Sequence, residues 1–199
     1  MPKPCRAFLF PWRLCVGLVF AAFLLSGRLD AVTMRSLLED PKMTPQRFAA
    51  LFEKFEFELH PFDVQNPDQF LASQSGDCID YAVLADHVLS RKGYWTRLIR
   101  VEMVGKNMGH AVCYVTESRA YLDYNNRKYV FNLERSGARI RQIAAKVADS
   151  LEGNWTFAQE FTYDYSTAIK RAVVTIVKTA PPAQDYDVVH PAVRPKARE

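Results

Sequence analysis

Ser75-Gly76-Asp77-Cys78-Ile79-Asp80-Tyr81-Ala82-Val83-Leu84-Ala85-Asp86-His87-Val88-Leu89-Ser90-Arg91-Lys92 reads as a tight turn running at once into an amphipathic helix with a cysteine at its head. Asp77 is a strong N-cap, because its carboxylate can accept the free N–H groups of the first turn, and Gly93 is a strong stop. Cys78 therefore falls in the first turn, where the positive end of the helix dipole favours thiolate, the nucleophilic form. Cys78, Ala82, Ala85 and Leu89 share one helical stripe, so the sulfur is expected on the face that packs against the body of the domain.

Two later stretches supply candidate partners. Gly109-His110-Ala111-Val112-Cys113-Tyr114-Val115-Thr116 reads as a strand with a histidine near its start, and Ala120-Tyr121-Leu122-Asp123-Tyr124-Asn125-Asn126 as a strand running into a turn. A thiol needs a base to take its proton, and that base needs an acid to fix its tautomer and orientation. A hairpin turning near Glu117 to Arg119 would set His110 beside Asp123.

The run Gly76-Asp77-Cys78-Ile79-Asp80-Tyr81-Ala82, a helix, the Gly93 stop, a strand, Gly109-His110-Ala111 and then Leu122-Asp123 resembles the core of the transglutaminase-like cysteine-enzyme superfamily. It is most similar to the bacterial proteinase-like branch, which carries an acidic residue before the cysteine. The resemblance spans roughly residues 45 to 132. It implies a papain/transglutaminase-like core, with Cys78 as nucleophile, His110 as general base and acid, and Asp123 as the orienting acid. Ile79 stands where animal transglutaminases carry an aromatic residue, which argues against protein cross-linking. Gln74, four residues before the cysteine, is a candidate oxyanion donor alongside the Cys78 backbone N–H; its other reading is a polar surface-turn residue.

The chain's 199 residues, 49% of them hydrophobic, suffice for one domain with a proper core. The formal charge of +4 falls to about +1 without Lys3, Arg6 and Arg13, too little to argue for a nucleic-acid partner. Those three cations precede an apolar run from Leu14 to Leu25, so residues 1–30 read as a signal peptide, or as a membrane anchor if uncleaved. The expectation is export to the periplasm or beyond, with membrane attachment only through that segment. Residues 31–179 then form the transglutaminase-like domain, and the proline-bearing stretch 180–199 a mobile tail.

Of four cysteines, Cys5 and Cys15 lie in the leader. Cys78 and Cys113 are expected to stay unbridged: if His110 points toward Cys78, strand alternation turns Cys113 the other way. Some superfamily relatives bind calcium through acidic loops, but Asp63, Asp68, Asp77 and Asp80 show no calcium-loop spacing. Cys78 and His110 lack further ligands for a transition metal, so neither metal nor cofactor is expected.

The remaining elements are expected as follows: a short helix over Met34–Asp40; a helix from Thr44-Pro45 to about Glu56 burying Phe48, Leu51, Phe52 and Phe55; a single helical turn at Pro67–Leu71; a strand over Tyr94–Val104; a strand over Lys128–Asn132; a helix over Glu134–Leu151; and strands over Trp155–Tyr165 and Ala168–Lys178. His60, beside Pro61, reads as a loop residue, and His87, half a turn round from Cys78, as a solvated or half-buried helix residue. The order predicts an α+β fold, with helices packed on one face of an antiparallel sheet. The expected activity is amide hydrolysis on a peptide or protein through a thioester. The alternatives are a non-catalytic binding or assembly module and a protein-glutamine acyl transferase.

Overall fold

Thr44 and Pro45 start a helix by the expected means: the Thr44 side chain accepts the Arg47 N–H at 3.1 Å, and proline occupies the first helical position. In the computed structural model, which describes residues 31–60, 64–105, 109–127 and 133–178, this helix, α2, spans Pro45–Leu51. It ends short of Glu56 because the chain leaves helical geometry at Phe52. A turn then folds Phe55 back beside Phe52, their ring centroids 4.7 Å apart. Before it, α1 spans Met34–Glu39 under a Thr33–Ser36 capping box. After it come β1 (Glu56–Phe57), α3 (Pro67–Ser73), β2 (Ser75–Gly76) and α4 (Cys78–Arg91).

The rest of the described chain is mostly sheet: β3 (Thr96–Met103), β4 (Gly109–Val115), β5 (Ala120–Leu122), a 3-10 turn (Tyr124–Asn126), β6 (Leu133–Arg135), α5 (Ile140–Ser150), β7 (Trp155–Asp164) and β8 (Ile169–Val177). Six of these strands form one antiparallel sheet in the order β6-β5-β4-β3-β7-β8, and β1 and β2 form a separate parallel pair. The helix expected from Glu134 starts at Ile140 instead. Leu133–Arg135 pairs with Ala120–Leu122, so strand pairing overrides the helical spacing of that stretch. The leader, the tail, the strand expected over 128–132, Asp63 and residues 106–108 of the turn before His110 lie outside the described residues.

Alternation along the strands builds two cores. Leu98, Ala111, Cys113, Val115, Leu122 and Phe161 face a layer drawn from α1, α2, α3 and α4. Ile99, Val101, Val112, Tyr114 and Tyr121 face α5, which contributes Ile140, Ile143, Ala144 and Val147. The α+β class and the antiparallel sheet are as expected, and α5 adds a layer on the opposite face. Phe48, Phe52, Phe55, Phe70, Tyr81 and Tyr124 form a continuous aromatic cluster under the head of α4, with Tyr81 and Tyr124 centroids 5.3 Å apart. Fully burying each such ring contributes on the order of 1.5–3 kcal/mol.

Candidate active site

The head of α4 is fixed by two carboxylates. Asp77 accepts the N–H groups of Ile79 (2.9 Å) and Asp80 (3.3 Å), and Asp80 reciprocates on the Asp77 N–H at 3.0 Å, completing a capping box. Gly76 is required just before it. A Cβ there would lie 2.6 Å from the buried Phe70 ring and 2.8 Å from the Asp80 carboxylate. Cys78 opens the helix half-buried, and the Ala111 backbone N–H donates to its sulfur at 3.4 Å.

His110, second residue of β4, and Asp123, just past the end of β5, lie at the same end of the sheet. The His110 Nε2 is 2.9 Å from Asp123 Oδ1, with both residues buried. Asp123 caps the 3-10 turn, accepting the Asn125 N–H at 2.8 Å and the Asn126 side-chain amide at 3.3 Å, so its carboxylate is held in one orientation. With Nε2 engaged by Asp123, Nδ1 is the ring nitrogen left for Cys78, and the interaction with Cys78 helps to raise the imidazole. Burial alone would hold the His110 pKa down. The Asp123 charge and hydrogen bond, with the interaction with Cys78, outweigh it and push the imidazole up to about 10. The arrangement can keep a thiolate beside an imidazolium and can pass a proton between sulfur and imidazole.

Cys78 and Cys113 are both free thiols. The orientation argued from alternation differs, however. Cys113 packs in the core that faces α4, while Val112 faces α5. His110 lies near the start of β4, where the end of the sheet also brings Asp123 to it. Gln74 is exposed, with a left-handed backbone (φ 53°) that caps the end of α3. His87 meets Tyr165 edge to face at 5.0 Å, and burial, then the nearby Arg91, hold its pKa down to about 4. It lines a shallow groove with Val83, Arg91, Tyr163 and Tyr165 that contains none of Cys78, His110 and Asp123.

Sequence reasoning missed three supporting residues. Tyr124 donates its hydroxyl to the Glu56 carbonyl at 2.5 Å, and the buried Arg127 stacks 3.7 Å from the Tyr124 ring centroid while donating to the Phe55 and Tyr124 carbonyls. Together they tie the Asp123 turn to Phe55 and the start of β1. His60 is no simple loop residue. Its Nε2 lies 2.6 Å from Asp80 Oδ2 and 3.8 Å from Asp77 Oδ2, while Asp80 Oδ1 accepts the Gln65 N–H at 2.6 Å.

His60, Asp77 and Asp80 each offer one ligand atom, all within 4.8 Å of one another. Calcium takes six to eight oxygens, and this set supplies one nitrogen and two carboxylates already engaged by N–H donors. A 2.6 Å contact between Nε2 and Oδ2 is a hydrogen bond, with a proton where a shared cation would sit. The trio fits a hydrogen-bonded cluster better than a calcium site. Burial, then the neighbouring Asp80 charge, pushes the Asp77 carboxyl above its ordinary range.

A family model described as a transglutaminase-like domain matches residues 45–148, a span that holds Cys78, His110 and Asp123. Among solved structures, calcium-bound LapG of Legionella pneumophila is similar at 16% identity, covering 62% of this chain and 70% of that chain with a TM-score of 0.42. No curated protein matches the chain.

Proposed function

Because the chain belongs to the transglutaminase-like domain family, we propose that it is an exported cysteine-nucleophile amide hydrolase acting on a peptide or protein segment. The observation that carries this reading is the buried His110 imidazole, held by Asp123 at 2.9 Å and raised in pKa by Asp123 and by Cys78 at the head of α4. In the first half-reaction the Cys78 thiolate attacks the amide carbonyl carbon. The oxyanion faces the Cys78 N–H at the head of α4, where helix amides point outward; Asp77 occupies the N–H groups of Ile79 and Asp80. Protonated His110 gives its proton to the leaving nitrogen, the C–N bond breaks and a thioester remains. His110, now neutral, takes a proton from water, whose oxygen attacks the thioester. The C–S bond breaks, the carboxylic acid leaves, and the thiolate–imidazolium pair is restored. Water is the default acceptor, so hydrolysis is preferred to transfer onto an amine.

The test is alkylation of the full chain with iodoacetamide at pH 6, with labelled cysteines mapped by mass spectrometry in wild type, Cys78→Ala and His110→Ala. The reading predicts that Cys78 reacts much faster than an ordinary thiol and that His110→Ala slows it tenfold or more. Labelling of Cys78 no faster than an ordinary free thiol would instead indicate a binding module that keeps the fold. Export through residues 1–30 is part of the same proposal, and cell fractionation with N-terminal sequencing tests it.

A further inference from the structure

The first turn of α4 presents an electrostatic difficulty. Cys78 stands between Asp77 and Asp80, 9% and 1% exposed, and a thiolate there adds a third negative charge to one helical turn. Like charges this close oppose one another strongly when water is excluded, and the helix dipole and the His110 imidazolium, itself shared with Asp123, offset only part of that. The side chain lying against both carboxylates is His60, at 2.6 Å from Asp80 and 3.8 Å from Asp77, itself 11% exposed at the side chain. It arrives from the loop after β1 and shares Asp80 with the Gln65 N–H, so the loop and the helix head are joined through this one carboxylate.

Resting on the reading of Cys78 as nucleophile, we propose that His60 is a positioning residue that carries its proton as a built-in counter-cation between Asp77 and Asp80, keeping the Cys78 thiolate accessible. The imidazolium donates to Asp80, leaves that carboxylate free to hold the Asp77 N–H, and cancels charge that would otherwise act on the sulfur. Among the described residues, the other titratable groups around the two carboxylates do not supply a competing proton near neutrality. The Tyr124 hydroxyl is pushed up to about 12, first by burial, and Tyr165 is pushed higher by the same cause. Glu58, on the same segment as His60, engages Ser75. Arg127 is committed to the Tyr124 ring and to backbone carbonyls.

The experiment measures iodoacetamide alkylation of Cys78 against pH, from 5 to 9, in full-chain wild type, H60Q, D80N and H60Q/D80N, with a thermal melt of each. Glutamine keeps a hydrogen-bond donor for Asp80 and removes only the charge, so a merely structural role for His60 would leave the profile in place. The proposal expects H60Q to slow alkylation about three- to tenfold at pH 6, as one uncompensated charge in a partly buried turn would. The rate should converge with wild type at alkaline pH. H60Q/D80N, which removes the orphaned negative charge, should return the profile to that of wild type. Where H60Q alone fails to fold, a wild-type profile in H60Q/D80N supports the proposal and a slowed one overturns it. It is also overturned if H60Q superimposes on wild type, if H60Q slows the reaction equally at every pH, or if D80N gives no recovery. Slow labelling of Cys78 in wild type itself would sink the nucleophile reading, whereas fast and superimposed profiles sink the role of His60 alone.

Discussion

The imidazole of His110 is buried, and its Asp123 partner is completely so. An imidazolium in such a place persists only because a carboxylate and a sulfur face it, and the orientation of that carboxylate is set by the turn it caps. Replacing Asp123 with Asn removes the charge and allows the imidazole to adopt the wrong tautomer. Asp123→Asn is expected to cut Cys78 alkylation at pH 6 tenfold or more, and a rate within twofold of wild type would contradict this. Stability should follow the same proton. A histidine raised to about 10 in the folded protein contributes stability fully present below its unfolded pKa near 6.5 and lost as pH rises through about 10. The stability gap between wild type and His110→Gln, measured by urea unfolding, should therefore be widest at pH 6 and narrow steadily toward pH 10. Cys78, His110 and Asp123 were legible in the sequence because each has a local signature: a capped helix head, a histidine opening a strand, an aspartate closing one. His60 was not legible, since a hydrogen bond reaching 20 residues to Asp80 leaves no periodic trace.

At the scale of elements, the turn from α3 into α4 admits no side chain at Gly76. The Cβ of an alanine would press on a buried ring and on the Asp80 carboxylate. Gly76→Ala is expected to cost about 1–3 kcal/mol in urea unfolding, as overpacking does, and to disturb the Cys78 helix head with it. Tyr81, one turn into α4, behaves in the opposite sense. Its ring is packed against Phe48, Phe52 and Tyr124, but its hydroxyl finds no hydrogen-bond partner among the described residues. Tyr81→Phe removes a buried unsatisfied group and should leave stability unchanged or raise it by up to about 1 kcal/mol; a loss of more than that would reveal a hidden partner. Caps, proline starts and apolar spacing made most element positions readable in advance. The misjudged boundaries, at Phe52 and between Glu134 and Ile140, lie where tertiary packing and strand pairing override local periodicity.

Over the whole molecule, the sheet separates two layers with different duties. The layer of α1 to α4 carries the cysteine and the aromatic cluster that seats both the helix head and the Asp123 turn, while α5 seals the opposite face. Ile143→Ala, in the α5 core, should therefore cost about 2–5 kcal/mol of stability and leave the pH profile of Cys78 alkylation unmoved. The second layer went unforeseen because the sequence pattern of α5 shows that one face is buried without showing against which side of the sheet. What the assembled fold accomplishes is to bring a helix head, a strand start and a strand end together around one imidazole. The direct measure of that convergence is an NMR titration of the His110 ring in wild type, Cys78→Ser and Asp123→Asn. A wild-type midpoint near 10 that falls in both variants is the predicted result. A midpoint near 6.5 that ignores both substitutions would contradict it.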